Sequence, residues 1–252
     1  MRVLLTRSEM QNAAFRQLLE AQFPMLNCIE VALLDQVPKD VEGIVIEQLL
    51  NDMTINEVIF ISPAAVEFGA QKILNELPMQ HYFTVGKGTA MMLEACMEKS
   101  HSYAKLLYPR HSAGGEALLE LEELQQVKDK QFLIITGAEG KPLLGAELRN
   151  RGAKVYYWEC YQRRKPVDLN LQLLEAFKKP VDFVMLHSAH AAEYFLQEMP
   201  DRMDKNKIVL IVGAQSIADV IRNDGWQGEV KVADTPIAKD MLSCMVECIN
   251  LA

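Results

Sequence analysis

Small hydroxyl and glycine residues recur in short clusters along the 252-residue chain: Thr6-Arg7-Ser8, Ser62-Pro63, Gly86–Thr89, Ser112–Gly115, Thr136-Gly137, Ser188, Gly213–Ser216 and Thr235-Pro236. Each follows a short β-prone run and precedes a helical pattern. Helix N-termini present free N–H groups and about half a positive charge, so such junctions can hold anions without cationic side chains. Arg7 and Lys87 would add local positive charge. One helix-end contact contributes only about 0.3–1 kcal/mol, so several must act together on a ligand with several carboxylates or phosphates. The same residue types are ordinary helix caps. Pro follows Ser62 and Thr235 as at a first helical position, and Ser8 with Gln11 fits a capping box. The residues alone leave both readings open.

Tyr161 stands apart. It closes the aromatic stretch Tyr156–Tyr161, just before Arg163-Arg164-Lys165-Pro166. It is either an aromatic packed at a hinge or a phenol facing a cleft between lobes. A phenol has an ordinary pKa near 10, stays protonated at neutral pH and can donate a proton.

Other chemistries lack their residues. Gly86-Lys87-Gly88 has Met91 where a dinucleotide fingerprint needs its third glycine, and no P-loop or nucleophile elbow occurs. His187 and His190 lie three apart without further donors at metal spacing, so they read as junction residues. The five cysteines are scattered, with no Cys-x-x-Cys, which points to a reducing cytoplasm. Cys244 and Cys248 fall in an apolar helical pattern and read as core. No metal or organic cofactor is expected.

The elements that must carry these junctions alternate, short strand then amphipathic helix, the signature of an α/β protein with largely parallel strands. Strands are expected near Val3–Thr6, Val58–Ile61, Tyr82–Val85, Lys105–Tyr108, Phe132–Thr136, Phe183–Leu186, Ile208–Val212 and Val230–Ala233. Ala65, Phe68, Gly69 and Ile73 share a helix face, as do Ile217, Val220 and Ile221, and Ala238, Met241, Leu242 and Met245. Gly152 and Gly225 sit where helices should end. Half the residues are apolar and 24% are charged, enough for a real core. The net charge of −8, with charges interspersed, disfavours nucleic acid and anionic membranes. Apolar runs such as Ile208–Val212 fall far short of the roughly 20 residues a spanning helix needs. No signal peptide is expected after Met1-Arg2.

The chain also repeats itself. Glu57–Phe68 matches Asp182–Tyr194, with Ser62 on Ser188; Phe83–Thr89 matches Leu210–Ser216; Arg2–Thr6 matches Phe132–Thr136. The offsets agree closely: 126 from Ser62 to Ser188, 127 from Gly86 to Gly213 and 130 from Thr6 to Thr136. Two similar α/β lobes are expected. Cys28–Pro38 and Val155–Pro166, both β-prone and ending in proline, are candidates for the strands by which the chain passes between them.

Taken in order, these motifs resemble the uroporphyrinogen-III synthase family nearly end to end. The marks are Val3–Arg7, Ile59–Val66, Thr84–Ala90, Gly114–Leu119, Arg151–Val155, Glu159–Arg163, the second Ser and Gly-x-x-Ser units, and Thr235-Pro236. The resemblance implies two parallel-sheet α/β lobes joined by a two-stranded β-ladder. One lobe would hold residues 1–36 and 166–252, the other 37–165. It implies a lyase of porphyrin (haem) biosynthesis acting on hydroxymethylbilane, a linear tetrapyrrole with eight carboxylates. Water leaves the terminal hydroxymethyl group, and the chain closes through a spiro intermediate to uroporphyrinogen III with ring D inverted.

On this resemblance Tyr161 takes the position of the catalytic acid. Arg7, Ser62, Gly86, Lys87, Thr89, Thr136, Gly137, Ser188, Gly213, Ser216 and Thr235 would hold substrate. His187-Ser188 and Ser216 stand where the family commonly has Thr-Ser and Thr. The expected protein is a cytoplasmic monomer that receives its substrate from the preceding enzyme of the pathway. A non-catalytic two-lobed protein closing on a small anion would use the repeat and the helix ends equally well.

Overall fold

A computed structural model gives the fold and describes residues 1–39, 55, 57–77, 81–138, 140, 143–200 and 203–251. The chain begins β1 (Arg2–Leu5), α1 (Glu9–Gln22), β2 (Asn27–Glu30) and β3 (Asp35–Pro38). It continues β4 (Glu57–Phe60), α2 (Pro63–Glu76), β5 (His81–Thr84), α3 (Lys87–Lys99) and β6 (Lys105–Leu107). Next come α4 (Gly115–Leu119), β7 (Gln131–Gly137), α5 (Leu143–Asn150) and β8 (Lys154–Arg164). The remainder is α6 (Leu169–Ala176), β9 (Phe183–Leu186), α7 (Ala189–Glu198), β10 (Val209–Val212), α8 (Gln215–Asn223), β11 (Val230–Val232) and α9 (Ala238–Leu251).

Two sheets result. One has the order β11-β10-β9-β1-β2 and the other β3-β8-β7-β4-β5-β6. Pairing is parallel throughout the first sheet and from β8 to β6 in the second. Apart from β3, the two orders are the same succession: β2, β1, β9, β10, β11 correspond to β8, β7, β4, β5, β6. Chain contacts divide the molecule into Met1–Asp35 with Arg164–Ala252, and Gln36–Arg163. The chain leaves the first unit within β3 and returns at the end of β8, which is β3's neighbour in the sheet.

Parallel strands are covered on both faces, so they read as unbroken apolar runs. In the first unit Leu4, Val184, Leu186, Leu210 and Val212 pack on one side, with Leu173, Phe195 and Ile221 from helices α6, α7 and α8. Val3, Leu5, Met185 and Ile211 pack on the other, with Phe15 and Leu19 from α1 and Met241 and Met245 from α9. The second unit repeats this: Val58, Phe60, Leu133 and Ile135 face α2 and α3, while Ile59, Ile134 and Phe132 face α4 and α5. Glu57 is buried at the amino end of β4 and compensated by His81 Nδ1 at 3.1 Å and Lys130 Nζ at 3.2 Å. Helix α5 ends at Gly152 (φ +90°), whose successor Ala153 donates N–H to Leu148 O; Gly225 (φ +84°) and Trp226 do the same for α8 toward Ile221.

Three local expectations change. Ser8 caps α1 by position, but its side chain makes no capping bond, so the Ser8/Gln11 box does not form. Instead Asn12 Nδ2 donates to Arg7 O and Asn12 N donates to Ser8 O. Thr235-Pro236 does not start the last helix, which begins at Ala238; Thr235 forms a turn whose hydroxyl accepts from Ile237 N and donates to Asp240 Oδ2 at 2.6 Å. The β-prone stretch Cys28–Pro38 is two strands, β2 and β3, in different sheets.

Candidate functional site

In open α/β sheets the loops beyond the carboxyl ends of the strands carry ligands. In the second unit, β4 is followed by Ser62, the N-cap of α2, an extended residue (φ −164°, ψ 162°) whose Oγ accepts the Ala65 N–H at 3.0 Å. Pro63 follows at the first helical position. Tyr161 comes from β8, two strands away across β7. Its hydroxyl lies 3.1 Å from Ser62 Oγ, and its ring stacks on Phe68 of α2 at 5.8 Å between centroids and 25° between planes. The residue is 6% exposed.

A β-bulge puts it there. Along β8, Tyr156 and Trp158 pack toward α2 and α3, whereas Val155 and Tyr157 pack on the other face. Strict alternation would send Cys160 to the first face and Tyr161 to the second. The β7–β8 register instead pairs Thr136 with Glu159 and Gly137 with Tyr161, leaving Cys160 as the extra residue. Cys160 and Tyr161 therefore both enter the α2 cluster. Cys160 is buried there, its thiol pushed up to about 12 by desolvation, which leaves it inert. Gly137 makes the room: a Cβ on it would stand 2.7 Å from Tyr161 Cε2 and Cζ. Thr136 is buried and spends its hydroxyl on Gly137 O at 3.1 Å.

On the neighbouring strand, Gly86 caps α3, and Lys87 stands exposed in its first turn. Thr89 lies inside that turn and is buried. The Ser112–Gly115 loop joins this end through Gly114 N, which donates to Val85 O at 2.8 Å.

The first unit presents the equivalent edge with different chemistry. Ser188 caps α7, and its Oγ accepts Ala191 N–H at 3.2 Å, as Ser62 does for α2. Arg7 stands where the repeat has Gly137, half-buried, its guanidinium pKa lowered by desolvation. Among the described residues no carboxylate pairs with it. His187 lies beside the Pro236 backbone, and its Nδ1 is buried without a hydrogen-bond partner. Desolvation, and then the charge of Arg7, push this imidazole down to about 4. Gly213 follows β10 and lies against the Thr235-Pro236 turn, where a Cβ would meet Pro236 Cβ at 2.7 Å. Ser216 is exposed, the second residue of α8, whose N-cap is Ala214. The repeat thus slips by one residue relative to Gly86 at α3.

The expected residues form two groups, one per unit, each at the carboxyl edge of its sheet. Ser62, Gly137 and Tyr161 touch; Gly86, Lys87, Thr89 and Thr136 sit on the adjoining strand ends. Arg7, Ser188, Gly213 and Thr235 hold the matching places in the first unit. Sequence reasoning missed Phe68 as the ring's stacking partner, although its helical spacing placed it on the inward face. It also set His187 aside as a junction residue. Among the described residues no group of three or more His, Cys, Asp or Glu is placed to hold a metal ion, and no helix is long and apolar enough to cross a membrane.

A family model described as uroporphyrinogen-III synthase HemD matches residues 13–243. The uroporphyrinogen-III synthase of Salmonella typhimurium strain LT2 is 31% identical over 194 residues, 73% of this chain and 76% of that protein. That of Escherichia coli strain K12 is 32% identical over 157 residues, and the match spans 61% of each protein. Two solved structures share the fold. The uroporphyrinogen-III synthetase of Helicobacter pylori 26695 has a TM-score of 0.59 at 13% identity, covering 98% of this chain and all of the other. A uroporphyrinogen III synthase mutant from the extremely thermophilic bacterium Thermus thermophilus has a TM-score of 0.52 at 16% identity, covering all of both chains.

Proposed function

The chain belongs to the uroporphyrinogen-III synthase family, and on that premise we propose that it closes hydroxymethylbilane to uroporphyrinogen III, inverting ring D and releasing water. The observation that carries the reading is the Tyr161 hydroxyl, held 3.1 Å from the capping Ser62 at the carboxyl edge of the sheet. The departing hydroxyl needs a proton from a group that is neutral near pH 7. A phenol meets that need, whereas exposed carboxylates are ionised. Tyr161 is the proposed general acid. The substrate carboxylates are assigned to the helix-end amides at Ser62, Gly86–Thr89, Ser188 and Gly213–Ser216, to the Thr136-Gly137 and Thr235 turns, and to the charges of Arg7 and Lys87. Because the bilane also closes unaided, the main catalytic task is to fix geometry. The enzyme is proposed to work as a cytoplasmic monomer that takes the bilane from the enzyme forming it.

The test is direct. Purified protein given freshly prepared hydroxymethylbilane, without added metal or cofactor, is expected to yield the type III isomer. Only type I product at the uncatalysed rate would overturn the assignment and favour a non-catalytic anion-binding protein.

A further inference from the structure

We infer that Ser62 is a positioning residue that donates its hydroxyl proton to Tyr161, so that the phenolic proton of Tyr161 is left free for the substrate. The inference rests on Tyr161 being the acid and adds how that acid is aimed.

A serine hydroxyl has one proton and two lone pairs. One lone pair of Ser62 Oγ is engaged by the Ala65 N–H at 3.0 Å. Either oxygen can donate across the 3.1 Å contact to Tyr161. If Tyr161 donates, its proton is tied to Ser62 and must be pulled away before it can move. If Ser62 donates, the phenolic proton points elsewhere, and the phenolate left after transfer already has a donor. That arrangement is favoured by the place of Ser62 at the positive end of α2, a 14-residue helix, which stabilises the negative charge formed on the phenolic oxygen. The ring cannot easily turn away, being stacked on Phe68 and set against Gly137. Ser188 supplies an internal contrast. It makes the same cap on α7, yet the strand that corresponds to β8 is the four-residue β2, with no tyrosine at that end.

Steady-state turnover of type III product tests this with four variants. Ser62→Ala removes cap and donor; Ser62→Asp keeps a capping oxygen but cannot donate; Ser62→Thr keeps both; Tyr161→Phe removes the acid. Loss of about tenfold in kcat with little change in KM is expected for Ser62→Ala and Ser62→Asp, with Ser62→Thr within about threefold of the parent, as for one charge-assisted hydrogen bond. On the Tyr161→Phe background, Ser62→Ala should cost less than about twofold more, because the two act as a unit. Equal losses on both backgrounds, full kcat in Ser62→Asp, or no rescue by Ser62→Thr would each overturn the inference. If Tyr161→Phe itself keeps full turnover, the acid assignment fails and takes this inference with it. If Tyr161→Phe loses turnover but the Ser62 variants do not, this inference falls while the acid assignment stands. Ser62→Asp keeps the comparison usable if loss of the cap unfolds Ser62→Ala.

Discussion

The ring of Tyr161 fills the space that a side chain at residue 137 would need, 2.7 Å from where a Cβ on Gly137 would stand. The glycine is not there for an unusual backbone angle, since no positive φ is found at this position. It is there for proximity. Gly137→Ala is therefore expected to push the ring off Phe68 and move the hydroxyl from Ser62. Overpacking of this kind costs about 1–3 kcal/mol, and turnover should fall by at least about tenfold. Chemical denaturation and a type III assay check both; an alanine protein with parental stability and rate would show that the ring yields freely.

Ser188→Ala should remove one capping bond and leave the α7 amides in place. The expected cost is about 0.5–2 kcal/mol of stability, with only a modest loss of substrate affinity. Urea unfolding measures the first and KM the second. Abolished turnover in a stably folded variant would assign chemistry to this hydroxyl instead.

His187 makes stability depend on pH. Its imidazole titrates near 6.5 when unfolded and near 4 when folded, so the unfolded chain binds the proton more readily. Folding stability should hold above about pH 6.5, decline as pH falls toward 4 and flatten below. The full span amounts to roughly 3 kcal/mol at most. Replacing His187 with threonine should remove that part of the slope in unfolding curves taken between about pH 4 and 7. A slope unchanged by the substitution would mean that other groups produce it.

Gly225→Ala isolates a purely conformational cost. The residue sits at φ +84°, and nothing lies within 4 Å of an added Cβ. A loss of about 1–2 kcal/mol is expected from the left-handed backbone alone. Gly152→Ala, at φ +90° with Lys128 atoms 3.3–3.5 Å away, should lose at least as much. Equilibrium unfolding of the pair separates strain from crowding.

The parallel strands were legible because buried parallel strands are uninterrupted apolar runs; Val58–Phe60 and Phe183–Leu186 need no partner to be recognised. The helix-ending glycines 152 and 225 were legible for a similar reason, since their angles follow from local chain geometry. Tyr161 was identified as a residue but not as a direction. Counting by twos from Trp158 places it on the far face, and only the inserted Cys160 reverses it. Thr235 looked like a cap because Pro236 follows it, yet Gly213 brings that turn against β10 and the helix starts later. The desolvation of His187 could not be read at all. Its neighbours, Arg7 and Pro236, are far away in the chain and close only in the fold.

The position of β1 carries a kinetic consequence. β1 lies inside its sheet, flanked by β2 and by β9, and its register with β9 pairs Val3 with Phe183. Every strand between β4 and β8 is made before β9 leaves the ribosome, so the sheet of Gln36–Arg163 has all its partners while β1 still shows one open edge. Closing so long a loop adds entropy to the barrier and lowers the folding rate. The first unit is thus the last to be completed during synthesis. β1 waits longest for its second neighbour, and its unpaired edge is where a stalled chain is most open to aggregation.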